Sequence, residues 1–279
     1  MAKQQSPTLM RSALKWAGGK KKLVGDIRRL IPKQTHTRLI EPFVGGGSVF
    51  LNLDFDEYLL IDKNHDLINL FNTIKQDAQR FIHAAKHYFK PEFNLAAAYY
   101  ALRAEFNQTV DPFHRSVLFL YLNRHGYNGL CRYNKSGFYN VPFGQYLKPY
   151  FPEAELNFFA TRAQRAEFLQ GDFSEAFKRA QTDDVIYCDP PYSPLEQTSN
   201  FTAYSGHEFG AQQQHELVAC ALRAREQGIT TLISNHDVKF TRELYKDANK
   251  LKVLKVQRSI NNQAHGRVKI DELLALYHR

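Results

Sequence analysis

The sequence predicts an α/β chain built on a mostly parallel sheet and interrupted by a helical insert. Two observations lead there. Short apolar runs alternate with segments of helical period at both ends of the chain, the rhythm of parallel strands joined by helices. Between the ends that rhythm stops, and helical patterns follow one another into a glycine- and tyrosine-rich stretch with no period.

The elements follow in order. A loop-to-helix segment contains Trp16-Ala17-Gly18-Gly19-Lys20. A β-rich run over 37–43 breaks into Gly45-Gly46-Gly47, and Ser48 is placed to open a helix over 49–53. Residues 57–61 read as a second strand with Asp62 at its tip. Helical patterns cover 66–75, 79–88 and 95–107, and Pro112 starts another through 122 that is dense enough in apolar residues to be buried. Residues 123–152 then hold five tyrosines and four asparagines among scattered glycines and prolines. So long an irregular stretch points to function, and its aromatics argue against disorder. The α/β rhythm returns with helix 153–164, strand 166–169, helix 174–180 and strand 184–188. An irregular arm over 193–210 leads to helix 212–227, strand 229–234 and a short helix near 240–247. Residues 251–260 and 272–277 alternate as paired strands. The sheet is therefore assembled from 1–64 and 153–279, around an insert over 65–152 whose loop spans 123–152.

Composition bounds the function. The 279-residue chain is 43% hydrophobic and carries a formal charge of +9, which favours a polyanionic partner. The charge is concentrated. No acid precedes Asp26, none lies between Asp111 and Glu153, and none between Asp247 and Asp271, while each stretch holds several lysines and arginines. Three such stretches, one interleaved with aromatics, suggest a phosphate-binding surface. The three cysteines form no CxxC and no His/Cys cluster, which argues for a reducing compartment and no metal site. No run is long and apolar enough to span a bilayer, so the expectation is a cytoplasmic protein without membrane contact.

Two motifs carry chemistry. In Phe43-Val44-Gly45-Gly46-Gly47 the glycines let the backbone turn tightly and approach a ligand, and Asp62 at the next strand tip suits two ribose hydroxyls. Position 50 is Phe50 rather than the third glycine of a dinucleotide fingerprint, so an adenosyl cofactor without pyrophosphate fits better. The second motif, Asp189-Pro190-Pro191-Tyr192, follows the apolar strand Val185-Ile186-Tyr187-Cys188. Its prolines remove backbone donors and leave an acceptor-rich corner. The Asp189 carboxylate and the Pro190 carbonyl suit the two hydrogens of an exocyclic amino group, and Tyr192 offers a face for a base. The corner alone serves adenine N6 or cytosine N4. A DNA-binding regulator without catalysis is the reading from a different class, and the intact corner speaks against it.

With Trp16 to Lys20, 118–133, 139–144, Asn200 to Tyr204 and Ser234 to Asp237, these motifs make the whole chain resemble the Dam family of DNA adenine methyltransferases, which act on GATC. The resemblance implies a Rossmann-like S-adenosylmethionine-dependent methyltransferase fold with an inserted helical target-recognition domain. It also implies double-stranded DNA as substrate, and a monomer on DNA with no obligate protein partner, associated with the nucleoid. Trp16, Lys20, Phe43, Gly45, Gly47, Asp62 and Asp189 match cofactor contacts, and Asp189, Pro190, Pro191 and Tyr192 the catalytic corner. Lys15 matches a reader of the outer guanine, with Tyr146 nearby. Leu130 and Pro142 match contacts to the thymine methyl, and Arg132 the reader of the guanine in the last pair. Tyr127 and Asn128 match residues that enter the duplex beside the extruded adenine. Arg103, Arg124 and Asn134 match phosphate contacts. Three positions depart from the family pattern: Gly46 for alanine, His125 for tyrosine and Gln145 for a basic residue. The insert's own chemistry agrees, since an arginine fork suits guanine O6 and N7 and apolar side chains suit a thymine methyl.

Overall fold

The computed structural model describes residues 9–32, 37–192, 209–255 and 271–279. Most of the arm expected over 193–210 lies outside these residues, as do Asn200 to Tyr204 and 256–260. The chain forms two compact units, one of residues 1–24, 44–54 and 62–170 and one of 25–43, 55–61 and 171–279.

The second unit holds the sheet. Strands β1 (Arg38–Glu41), β2 (Glu57–Asp62), β4 (Val185–Cys188), β5 (Thr230–His236), β6 (Lys250–Leu254) and β7 (Glu272–Tyr277) are joined in the order β2-β1-β4-β5-β7-β6. The first four run parallel, and β7 is antiparallel to both β5 and β6. Strand order reverses between β1 and β4, where Leu39 pairs with Val185 and Ile40 with Ile186. Open α/β sheets bind ligands at such a switch point, beyond the carboxyl ends of the strands. Arg38 and Asp184 secure the other end of these strands through contacts of 2.5 and 3.1 Å. Helices α1 (Val24–Leu30), α7 (Phe173–Arg179), α8 (Ala211–Glu226) and α9 (Lys239–Leu244) complete the unit, with α8 on β5 and β7.

The first unit is mainly helical: α2 (His65–Gln76), α3 (Ala78–His87), α4 (Ala96–Gln108), α5 (Pro112–His125) and α6 (Glu153–Ala163), with β3 (Ala166–Gln170). Asn64 caps α2 by accepting from the Leu67 amide, and Asp111 caps α5 ahead of its first-position proline. Phe50, Phe71, Phe159 and Phe168 form one aromatic cluster, with centroids 4.7 Å apart for Phe71 and Phe159 and 5.7 Å for Phe159 and Phe168. Helix α5 is buried at every residue from Ser116 to His125, as a helix apolar on all sides must be.

Two expectations are corrected. The stretch 49–53 is a run of turns rather than a helix. Its amides alternate between carbonyls three and four residues back, and the Asn52 side chain draws on Ser48 and Met10 carbonyls. Helix α5 continues one turn past Leu122, because Asn123, Arg124 and His125 find polar partners inside the fold.

His125 is fully buried, and its Nδ1–H donates to the Tyr121 carbonyl at 3.0 Å while Nε2 has no partner. Burial holds its pKa down at about 4 against an ordinary 6.5. Between those values the unfolded chain binds a proton that the folded chain refuses, so stability rises with pH across this window and is lost as pH falls. His125→Phe is expected to flatten the dependence, which at about 1.36 kcal/mol per unit amounts to no more than about 3 kcal/mol. Denaturant unfolding at pH 4, 5, 6 and 7 checks this, and parallel profiles for the two proteins would refute it.

Candidate functional site

The first unit carries the glycine turn. Gly45 and Gly47 take φ of +47° and +71°, a region that side chains rarely adopt. A Cβ on Gly45 would lie 2.6 Å from Nε1 of Trp16, the chain's single tryptophan. One on Gly46 would lie 2.8 Å from the Trp16 Cβ, so with the indole in this place position 46 has no room for a side chain. Asp62 faces the turn. Its Oδ2 accepts the Gly45 amide and its Oδ1 the Asn64 amide, each at 2.9 Å. Burial raises its pKa, against those two bonds, which lower it. Such a carboxylate gains from further donors, and a ribose diol supplies two. Lys20 is buried, with Nζ 3.1 Å from the Gly18 carbonyl.

The insert's loop belongs to the same unit and is ordered by side chains. Asn123 accepts from the Lys15 amide and donates to the Lys15 carbonyl, both at 2.8 Å. The Lys15 ammonium bonds to the Arg124 carbonyl at 3.0 Å and stands 3.4 Å from the centre of the Tyr146 ring. Burial first, then the Arg124 charge, brings its pKa down to about 8. The Tyr146 hydroxyl accepts the amide of Asn128, which sits at φ +52° between exposed Tyr127 and buried Gly129. A Cβ on Gly129 would fall 2.1 Å from the Lys15 Cβ, so that residue must be glycine. Lys15, Tyr146, Asn128 and Tyr127 are thus brought together.

The other expected DNA residues divide. Arg132 is exposed and braced by Asn140, with Nε 2.7 Å from Oδ1 and Nη2 3.2 Å from the carbonyl. Leu130 is half-buried, and exposed Pro142 accepts the Tyr127 amide. Arg103 donates to the Val141 carbonyl at 2.9 Å. Asn134 closes the turn of a small hairpin by accepting the amides of Ser136 and Phe138. Arg124 lies inside, 8% exposed, donating to the Tyr150 and Ala13 carbonyls. Gln145 is exposed at φ +51°.

The second unit carries the Asp-Pro-Pro-Tyr corner at the end of β4, and sheet register determines what surrounds it. Cys188 pairs with Ile233, so Ser234 stands beside Asp189 and its hydroxyl donates to Oδ1 at 3.0 Å. Tyr187 supports that hydroxyl at 3.0 Å. On β5 and β7, His236 pairs with Glu272. The Tyr192 hydroxyl donates to Glu272, and its ring meets His236 edge-on at 4.6 Å. Gln214 donates to the Pro191 carbonyl at 2.9 Å and is itself held by Asn235. No donor among the described residues engages the Pro190 carbonyl. Phe43, at the end of β1, packs on Phe173 and Phe209 with centroids 5.8 and 5.4 Å away. The sequence did not single out Asn64, Asn123, Asn140, Gln214 or Glu272 for any role. Ser234 lay in a family segment, but nothing in the sequence showed that it faces Asp189.

A sheet whose parallel order reverses at β1 and β4, with a last antiparallel strand slotted between β5 and β6, is that of an S-adenosylmethionine-dependent methyltransferase. Residues 16–260 match the family described as D12 class N6 adenine-specific DNA methyltransferase, and the chain belongs to it. It is a DNA methyltransferase specific for adenine N6, which sets cytosine N4 aside, and S-adenosylmethionine is its methyl donor. The chain is 55% identical to the DNA adenine methylase of Vibrio cholerae over 268 residues, 96% of each chain. It is 55% identical to that of Escherichia coli K12, covering 96% of this chain and 95% of the relative. Among solved structures, the methyltransferase domain of METTL16 lacking its N-terminus superposes with a TM-score of 0.40 at 10% identity, over 93% of this chain and 82% of that one. No helix among the described residues is long and apolar enough to cross a membrane.

Gly45→Ala tests the turn. It places a side chain at positive φ and against the indole, and a strain of this kind costs on the order of 1–3 kcal/mol. The emission of the single tryptophan is expected to shift, and S-adenosylmethionine is expected to bind at least about tenfold more weakly. Unchanged emission and affinity would show that the turn does not hold the cofactor.

Proposed function

We propose that the enzyme methylates the adenine of GATC in double-stranded DNA, with the target base extruded, and that it works as a monomer without an obligate protein partner. Residues 1–64 and 153–279 form the catalytic domain, and 65–152 form the DNA-recognition insert. Its place is the cytoplasm, on the nucleoid. The observation that carries the chemistry is the corner at Asp189, whose carboxylate accepts the Ser234 hydroxyl while no donor among the described residues engages the Pro190 carbonyl.

In the first unit Trp16, Lys20, Gly45, Gly47 and Asp62 hold the cofactor; Phe43 and Asp189, of the second unit, are assigned to it on the family resemblance alone. The fit rests on the glycine cradle that a Cβ would fill and on the Asp62 carboxylate at the strand tip. S-adenosylmethionine, when bound, supplies an electrophilic methyl group. The amino nitrogen of adenine is a poor nucleophile because its lone pair is conjugated with the ring. Asp189 and the Pro190 carbonyl accept its two hydrogens, favour a tetrahedral nitrogen and so release that pair. Pro190 and Pro191 keep the turn rigid, which spares reorganisation during the reaction. Tyr192 offers its ring to the base, with the ring's place set by Glu272 and His236.

In the insert, Lys15 with Tyr146 reads the outer guanine, Leu130 and Pro142 receive the thymine methyl, and Arg132 reads the last guanine. Tyr127 and Asn128 fill the space beside the extruded base. Arg103 and Asn134 stand on the phosphate side, whereas Arg124, expected there too, is buried and engaged with the Tyr150 and Ala13 carbonyls, where it braces the loop. The Asn140 brace supports the reading role of Arg132, since it fixes one edge of the guanidinium and leaves further N–H groups for a base.

Two experiments test this. Asp189→Ala is expected to lower the single-turnover rate by about 100-fold or more, as losing one preorganised hydrogen-bonding group does, with specific DNA binding retained. A rate above about a tenth of wild type would remove Asp189 from the chemistry. Arg132→Ala is expected to cost about 1–3 kcal/mol of discrimination at one base pair only. Single-turnover methylation of GATC and of each singly altered duplex, with the product nucleoside identified, measures it. A uniform loss across all duplexes would exclude base reading by Arg132.

A further inference from the structure

Within the first unit, a chain of side chains runs from the Asp62 strand tip to the loop segment that holds Leu130 and Arg132. We propose that this chain, Asn64 to Cys131 and on through Tyr133 and Asp66 to Arg115, couples cofactor binding at Asp62 to base reading by Leu130 and Arg132. The proposal rests on the roles given to Asp62 and Arg132 above.

Asn64 is committed at three atoms. Its amide donates to Asp62 Oδ1 at 2.9 Å, its Oδ1 accepts the Leu67 amide at 3.0 Å, and its Nδ2 donates to the Cys131 thiol at 3.2 Å. The side chain cannot turn without losing both the cap of α2 and the hold on Cys131. Cys131 sits between the two base-reading residues. On one side their segment is bound by the returning segment, where Tyr139 donates its hydroxyl to the Leu130 carbonyl at 2.8 Å and the Asn140 amide bonds to the Arg132 carbonyl at 3.1 Å. The ties to α2 are those of Cys131 and Tyr133.

Tyr133 extends the link into α2. Its hydroxyl lies 4.0 Å from the Cys131 sulfur and donates to Asp66 at 2.6 Å. Asp66, two residues beyond Asn64, takes a forked contact from Arg115 of α5 at 2.5 and 3.1 Å. Burial works to raise the pKa of Asp66, but the bonds from Arg115 and Tyr133 outweigh it and hold the carboxyl charged. Burial pushes the Cys131 thiol up to about 11, so at neutral pH the sulfur keeps its proton.

These contacts would be mere scaffolding if the Asp62 end were inert. It is not, because the two oxygens that hold the Gly45 and Asn64 amides belong to the carboxylate assigned above to the cofactor's ribose. Ribose hydroxyls donating to that carboxylate restrict the turn through 62–64, and with it the amide that pins Cys131. A segment already ordered by one ligand costs less to order for the second. Such a coupling is reciprocal, so cognate DNA must tighten cofactor binding by the same factor.

The test uses the full chain, S-adenosylhomocysteine as cofactor probe, the GATC duplex and a duplex altered at the pair assigned to Arg132. Dissociation constants are measured for each duplex with and without saturating probe. In the wild type the probe is expected to widen the ratio between the duplexes about tenfold. Asn64→Ser keeps a capping oxygen but loses the donor to Cys131, Cys131→Ala removes the sulfur, and Tyr133→Phe cuts the link to Asp66. Each is expected to reduce the widening to about twofold or less, with probe affinity for the DNA-free protein and melting temperature unchanged. The Asn64→Ser/Cys131→Ala double variant is expected to lose no more than either single one. A wild type without widening overturns the coupling. So do normally melting variants that keep it, or a loss confined to variants that melt early. Arg132→Ala separates the two failures. If it leaves the ratio unaltered, the base-reading assignment fails. If it collapses the ratio while Asn64→Ser and Cys131→Ala keep the widening, the coupling alone fails.

Discussion

Asn123 binds both polar groups of the Lys15 main chain, at 2.8 Å each, from the last turn of a helix with no exposed residue beyond Arg115. That pairing joins a segment near the start of the chain to the middle of the sequence, as a strand partner would. Much of the first unit follows from it. With Lys15 held, its ammonium is set over Tyr146 and against the Arg124 carbonyl, and Gly129 packs on its Cβ. One residue further along, Trp16 lies over the glycine turn. A buried side-chain amide left unpaired costs on the order of 1–3 kcal/mol, so the cost of breaking this contact falls on the loop around Tyr146 and Gly129 and on the glycine turn together.

The second unit solves a different problem with the same economy. Its corner must present acceptors without donors, and two prolines achieve that locally. Local stiffness does not aim a carboxylate, however. The aim comes from sheet register, which puts Ser234 beside Asp189 and Glu272 across from His236. Among the described residues, braces on the corner come from Tyr187 of β4, Ser234 of β5, Glu272 of β7 and Gln214 of α8, each of them buried. A reactive group on a surface turn gains the precision of the core in this way.

How much of this was legible in the sequence depends on distance along the chain. The glycine turn, the Asp62 tip and the Asp189 corner are local patterns with local reasons, and they read directly. The alternating strands and most helices read for the same reason. Asn123, Arg124 and His125 misled because polar residues after an apolar run look like a helix end, while their partners Lys15, Ala13, Tyr150 and Tyr121 are visible only in the fold. Arg124 reads as surface charge in an acid-free stretch, yet it lies inside, paired with the Tyr150 and Ala13 carbonyls and favoured by the charge of the distant-in-sequence Glu155. Ser234, Gln214 and Glu272 are set by register and packing, which no short window of sequence encodes.

The contact between Gly129 and Lys15 bears on how the reading proposed for Lys15 could change over time or by design. A side chain at position 129 would have to occupy the Lys15 Cβ itself, at 2.1 Å, and adopt φ +62° as well. Because the glycine touches only its stem, variation at the lysine can alter charge and reach, at the cost of its contacts with the Arg124 carbonyl and the Tyr146 ring. Variation at the glycine requires the main chain at Lys15 to move, and the Asn123 amide resists that. The two positions are therefore unequal partners in any search for new target sites. Libraries that randomise Lys15 explore chemistry, whereas libraries that randomise Gly129 mostly sample misfolded loops.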